Sequence, residues 1–247
     1  MKKARIFSII NLVIPQARKA VVLFSGGIDS TTALFWARSR YAAVSALSFD
    51  YGQRHKVELA LARRLTRRLL LTHRTLRVDL RPVGGSALTD AAIPVPMFRS
   101  SGDPANGLPV TYVPFRNGIF LALAAAWAES KGLDDIICGF NTIDSPAYPD
   151  TSPSFVRAIQ RTVDVGTGAA SRGRRIRIVA PFVRKKKSEI IRLGLSLGAD
   201  YSFSVSCYGG REVPCRRCSA CLLRKRAWEE AGVEDPLLIR LRKEGKI

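Results

Sequence analysis

Cysteine is scarce, five residues in 247, too few to frame a fold of this size with disulfides. Long apolar runs are missing as well. The longest, Ile119 to Ala128, has ten residues, against the ~20 that a bilayer crossing needs, so no membrane partner is expected. Acidic side chains are half as numerous as basic ones, 20 against 40, which leaves a net charge of +20. No internal repeat appears. What is abundant is apolar: 47% hydrophobic residues suffice for a proper core and exclude a disordered or fibrous chain.

The charge excess is mostly arginine. Basic residues cluster at Arg63 to Arg81, at Arg172 to Lys187 and around the late cysteines. A field of that sign favours polyanions such as nucleotides, tRNA, DNA or acidic proteins; a GC-rich genome writing arginine on any polar surface gives the same composition. Residues Met1 to Ile14 have the outline of a secretory signal. They lack a small-x-small cleavage site and run into Pro15-Gln16, so an extra edge strand or a misplaced start codon is the better account.

Short apolar segments alternate with helical ones. Strands are predicted at Ala20–Phe24, Val44–Phe49, Thr75–Val78, Asp135–Phe140 and Ile176–Val179. Helices are predicted at 32–40, 58–71, 115–131, 154–165 and 188–197. Residues 82–112, rich in proline and glycine, read as one long loop. This is the pattern of an α/β fold with a doubly wound, Rossmann-like parallel sheet. Cys207 to Arg226 breaks the alternation. We therefore expect an α/β domain over 19–204 and a C-terminal metal-binding module with a helix over 205–247, packed on the same unit.

Ser25-Gly26-Gly27-Ile28-Asp29-Ser30-Thr31 joins the first strand to the first helix. Backbone N–H groups converge there, two glycines permit close approach, and the hydroxyls add donors. An anion is the natural occupant, with a triphosphate a strong candidate. The segment is neither a Walker A loop nor a dinucleotide fingerprint; an ordinary helix cap made by Asp29 or Ser30 is the plain alternative.

Ser-Gly-Gly-x-Asp-Ser after an apolar strand resembles the PP-loop of the ATP pyrophosphatases, which adenylate a carbonyl oxygen and release pyrophosphate. Ser48-Phe-Asp-Tyr-Gly-Gln-Arg-His55, Val113-Pro-Phe-Arg-Asn117, Asp144 with Tyr148-Pro-Asp150, Lys187-Ser-Glu189 and Ser206-Cys-Tyr208 follow in order, leading into Cys215-x-x-Cys218-x-x-Cys221. From about Lys19 to Pro236 the set resembles the 7-cyano-7-deazaguanine synthase family of queuosine biosynthesis. The resemblance implies a cytoplasmic, homodimeric ligase that joins 7-carboxy-7-deazaguanine and ammonia at the expense of ATP.

It also implies roles. The stretch Phe24, Ser25, Gly26, Gly27, Ile28, Asp29, Ser30 and Thr31 would hold ATP, with Asp50, Tyr51 and Arg116 framing it. Asp29, Ser30 and Lys187 would act at the bond that breaks, Asp29 holding Mg²⁺. Arg116, Asn117, Asp144, Tyr148 and Asp150 would take the deazapurine. On residue chemistry alone Lys187 is equally one member of a solvated basic run, and Arg116 with Asn117 a helix-capping pair. His55 has no evident partner and reads as structural.

Cys207, Cys215, Cys218 and Cys221 offer four thiolates, a set that suits tetrahedral Zn²⁺; C-x-x-C-x-x-C also serves iron–sulfur clusters. The resemblance favours zinc. Cys138, in a predicted strand, is a core residue. The chain departs from the family at Pro146-Ala147 and Thr151-Ser152, where Ser-Gly and Cys-Arg are usual, at Val205, where tryptophan is frequent, and at Phe115, where a small residue is usual. All fall near the expected substrate pocket. A paralogue acting on another carboxylate or on tRNA, DNA or protein is the second hypothesis.

Overall fold

The computed structural model describes residues 16–98, 107–144 and 147–247; the signal-like stretch to Ile14 and Pro146 lie outside them. The apolar segments become β1 (Gln16–Leu23), β2 (Tyr41–Asp50), β3 (Thr72–Arg77), β4 (Asp135–Ile137) and β5 (Arg177–Val179). Between and after them run α1 (Ile28–Arg38), α2 (Val57–Arg68), α3 (Arg116–Lys131), α4 (Pro153–Gly166), the short α5 (Gly168–Ser171), α6 (Lys187–Ser196), α7 (Ser219–Ala231) and α8 (Pro236–Lys243). All strand pairs are parallel, in the order β3-β2-β1-β4-β5. The chain builds outward from β1, then returns to add β4 on its other side. That reversal opens a crevice at the carboxyl ends of β1 and β4.

Alternation along β1 feeds two cores. Ala20 and Val22, with Phe24 just beyond the strand, pack with Leu34 of α1, Leu61 and Leu65 of α2 and Ile190 of α6. Val21 faces the other way, toward Leu121 and Ala124 of α3 and Val163 of α4. Helices cover both faces, so β1 can be apolar throughout. Cys138 is fully buried in the second core, and burial pushes its thiol up, as a core residue requires. Cys207, Cys218 and Cys221 belong to the first core, together with Leu237 and Leu241 of α8. The cysteine-bearing segment thus continues the core of the sheet.

At the amino ends of the strands, buried Asp135 accepts from Arg18 at 2.7 Å and from both Nε and Nη2 of Arg177 at 2.7 Å. Burial opposes its charge, but the two guanidiniums outweigh burial and hold the carboxyl below its usual range. This closes one end of the sheet and leaves the other free for chemistry.

Strands β1, β2 and β3 begin three or four residues before the expected positions, and two other boundaries shift for local reasons. Helix α1 begins at Ile28, so Ile28 to Thr31 form its first turn rather than a loop. Strand β4 ends at Ile137 instead of running to Phe140. A Cβ at Gly139 would stand 2.8 Å from the Asp29 carbonyl carbon; the chain leaves the ladder there to press against the start of α1.

Candidate active site

The crevice holds a cavity of about 340 Å³ whose wall includes Phe24, Ser25, Gly27, Ile28, Asp29, Ser30, Tyr51, Arg116, Asn117, Tyr148 and Lys187. Its floor is the loop before α1. Gly26 takes φ +83°, and an added Cβ would meet the Glu58 carbonyl oxygen at 3.1 Å; glycine lets α2 close over the loop. The amides of the first turn of α1 have no carbonyl four residues back, so they remain available to an anion. Ser25 Oγ and Ser30 Oγ lie 3.1 Å apart beside them.

The loop is held from below. The Ser48 hydroxyl donates to the Phe24 carbonyl. His73 Nε2 lies 2.8 Å from Ser48 Oγ, and its Nδ1 lies 3.0 Å from Thr66 Oγ1. A proton on Nε2 would serve Ser48, whose own proton goes to Phe24, with Nδ1 then accepting from Thr66, a hydroxyl that also reaches the Ala62 carbonyl at 3.0 Å. Burial, and secondarily Arg63, lowers the His73 pKa to about 4, and the ring is neutral.

Lys187 opens α6, and its Nζ is 2.6 Å from Asp29 Oδ2. Asp29 Oδ1 is buried with no partner. A buried lone carboxylate oxygen beside phosphate-binding amides suits a hard cation that keeps most of its waters. Thr31 is buried with its hydroxyl unpartnered.

Five sequence-predicted residues, Gly26, Thr31, Asp50, Asp144 and Asp150, do not line the cavity. Asp144 Oδ2 accepts from the Lys187 backbone N–H at 2.6 Å and from Asn141 Nδ2 at 2.9 Å. Asp150 Oδ2 accepts from the Asn117 N–H at 3.0 Å, at the start of α3. Both carboxylates cap helices, where the dipole favours them, and the Asn117 side-chain amide donates to the Asp150 carbonyl. Asp50 pairs with Lys56 at 3.0 Å, which holds its carboxyl below the usual range; it borders a separate groove.

The far wall is aromatic. Tyr51, Phe120, Tyr148 and Tyr208 line it. Arg116 lies over the rings of Tyr51 and Phe120 and donates to Tyr51 Oη at 3.3 Å. Burial pushes the Tyr51 hydroxyl up to about 12. Sequence reasoning missed the partner of His55, which is Glu58: His55 Nε2 is 3.5 Å from Glu58 Oε1, and both line the cavity. A run of polar residues after the carboxyl end of β2 was the available signal. Gly139, Asn141 and Tyr208 were missed too.

The four clustered cysteines place their sulfurs within 4.8 Å of one another. Tetrahedral zinc, with Zn–S about 2.3 Å, needs edges of about 3.8 Å, and Cys215 and Cys221 Sγ are 3.9 Å apart. Backbone N–H groups of Gly209 and Cys215 point at Cys207 Sγ, and that of Cys218 at Cys215 Sγ. Cys221 sits in the first turn of α7. Amide donors and a helix N-terminus both favour thiolates, so the set fits a metal.

Strand order, switch-point crevice and Gly-Gly loop define a PP-loop-type α/β protein. The family model described as queuosine biosynthesis protein QueC matches residues 19–232. A 7-cyano-7-deazaguanine synthase from Anaeromyxobacter sp. (strain Fw109-5) is 52% identical over 223 residues, spanning 90% of this chain and 96% of the relative. One from Methylococcus capsulatus (strain ATCC 33009 / NCIMB 11132 / Bath) is 46% identical over 222 residues, spanning 89% and 97%. The chain belongs to the QueC family. No helix among the described residues is long and apolar enough to cross a membrane.

Proposed function

We propose that this chain makes 7-cyano-7-deazaguanine from 7-carboxy-7-deazaguanine, ammonia and ATP, through two rounds of adenylation. A carboxylate is a poor electrophile because hydroxide leaves badly; transfer of AMP to its oxygen supplies a good leaving group. Ammonia then gives the amide, a second AMP activates the amide oxygen, and elimination leaves the nitrile.

The observation that carries this reading is the Asp29–Lys187 pair at the start of α1, beside a cavity with an aromatic far wall. The amides of Gly27 to Ser30 hold the phosphates. Lys187 balances charge as pyrophosphate departs. Asp29, through its free Oδ1, is the residue that would hold Mg²⁺, which supplies charge neutralisation at the phosphates. Tyr148 and Tyr208 flank the flat heterocycle, and Arg116 takes its carboxylate. Asp144 and Asp150 act on the pocket by fixing the starts of α6 and α3. Cys207, Cys215, Cys218 and Cys221 would hold Zn²⁺ as a structural ion. The proposal makes the enzyme a cytoplasmic homodimer, which light scattering of the purified chain and cell fractionation test.

The experiment is incubation with 7-carboxy-7-deazaguanine, ammonium and ATP, followed by mass spectrometry and nucleotide analysis. The nitrile should appear with AMP and pyrophosphate. ADP and phosphate as the only nucleotide products would overturn the reading.

One observation favours a second reading, action on a macromolecule. A groove of about 540 Å³ between α2 and β3 is lined by Lys56, Arg63, Arg74 and Arg77. Among the described residues, no ion pair engages the last three. Three unpaired arginines along one groove, beside the Asp50–Lys56 pair, suit a phosphodiester backbone. Salt-dependent tRNA binding that weakens in Arg63→Glu and Arg74→Glu would support it.

A further inference from the structure

His55 and Glu58 form a pair whose surroundings differ from those of an ordinary structural histidine. His55 is 7% exposed and its Nδ1 has no partner. A buried imidazole nitrogen left unbonded is costly unless something else binds it. Its Nε2 faces Glu58 Oε1 at 3.5 Å, inside ion-pair range and longer than a strong hydrogen bond. Such a contact tightens when the ring takes up a proton.

The pair is firmly placed. Gln53 Nε2 donates to Glu58 Oε1 at 3.2 Å and to the Phe49 carbonyl at 3.0 Å, while Gln53 Oε1 accepts from the Tyr51 N–H at 2.8 Å. One side chain therefore ties the end of β2, the turn after it and the first turn of α2 together. The His55 ring sits between Tyr51 and Tyr208, with centroids at 6.4 and 5.9 Å. A Cβ on Gly210 would come within 3.5 Å of the His55 Cα, so the cysteine-bearing segment packs on its backbone. Burial raises the pKa of Glu58, against the lowering influence of His55, Gln53 and Arg116.

Glu58, Tyr51 and Tyr208 stand against the ring, and Tyr148, Arg116, Asp29, Lys187 and Arg224 are the other titratable or charged groups that line the cavity. Burial holds the Tyr51 and Tyr208 hydroxyls protonated far above neutral pH, and Arg116 carries no acceptor. Asp29 lies at the phosphate end, engaged with Lys187. Among the residues that line this end of the cavity, His55 is the one with an unoccupied basic nitrogen.

The reaction proposed above removes all three protons from the ammonia nitrogen. In the first step the ammonia lone pair forms the C–N bond, the C–O bond to AMP breaks with its electrons on the phosphate oxygen, and one N–H proton must leave to give the neutral amide. In the second, both remaining N–H protons leave, one when the amide oxygen takes AMP and the neutral imidate forms, the other as C≡N forms and the second AMP departs. We infer that His55 Nδ1 accepts the proton that leaves as the amide forms and the one that leaves as C≡N forms, and that Glu58 stabilises the resulting imidazolium. Each proton passes to solvent before the next is taken up. This inference rests on the proposed function and adds a residue to it.

The test separates adenylation from nitrogen chemistry. Substrate-dependent exchange of labelled pyrophosphate into ATP, without ammonium, reports adenylation alone. His55→Gln and Glu58→Gln should keep that exchange. Their ammonium-dependent formation of amide and nitrile should fall by about 10²–10⁴-fold, as for loss of a general base. His55→Ala should regain product formation when imidazole is added, which a purely structural role would not allow. Unchanged nitrile formation in His55→Gln would overturn the inference. So would equal loss of exchange and product in both glutamine variants with no imidazole rescue. Absence of exchange in the wild-type chain would instead strike the proposed function itself.

Discussion

Lys187 Nζ and Asp29 Oδ2 meet at 2.6 Å across 158 residues of chain, joining the first turns of α6 and α1. Each removes the other's uncompensated charge, so neither acts alone. Asp29→Asn and Lys187→Met should each lower turnover by about 10²–10³ with the fold unchanged. The double variant should lose much less than the product of the two, since groups that act as a unit are not additive. Pyrophosphate release measured for all three variants checks this; full additivity would show two independent roles.

The cysteine cluster should carry one zinc per chain and no acid-labile sulfide. Cys218 caps α7 and lies wholly buried in the core shared with α1 and α2. Cys218→Ser should lose the metal and several kcal/mol of stability, lowering Tm by about 10 °C. Elemental analysis and calorimetry decide it. A metal-free variant with unchanged Tm would mean the site does not hold the fold.

His73 gives a pH dependence with a definite sign. Its folded pKa, about 4, lies below the ordinary 6.5. The unfolded chain therefore binds the proton first, and stability falls as pH drops from about 6.5 toward 4. Urea titrations across that window should show the fall. His73→Gln should flatten it while keeping a donor for Ser48.

Phe115 tests a conformation. It takes φ +50°, the left-handed region, at the N-cap of α3. Its exposed ring rests edge-on against Phe155 at 6.1 Å. Left-handed backbone costs a bulky residue on the order of 1 kcal/mol or more, and glycine almost nothing. Phe115→Gly should leave stability level or raise it by up to about 1 kcal/mol. Phe115→Ala, which keeps the strain and loses the ring contact, should lower it. Denaturant midpoints distinguish the two.

The Ser25-Gly26-Gly27 turn into α1 and the alternation of strands and helices were legible in the sequence because both depend on local pattern. The unusual Phe115 was visible too, but its cause is a backbone angle that no residue type announces. Asp144 and Asp150 were misplaced for a physical reason. A carboxylate in a loop can serve a ligand or a distant helix end, and only the fold brings Lys187 N–H and Asn117 N–H to them. Glu58 lay unnoticed inside a helix. It stands three residues after His55, a spacing that brings the two side chains together only once α2 is known to start at Val57.

The Val205 N–H donates to the Gly26 carbonyl at 3.1 Å, two residues before the first clustered cysteine. The phosphate loop and the cysteine cluster are therefore neighbours in one cooperative unit. Linkage between them is reciprocal: whatever factor the bound ion lends to nucleotide affinity, nucleotide returns to the affinity for the ion. An apo chain should accordingly grip ATP more weakly, and ATP should slow the escape of metal to a chelator.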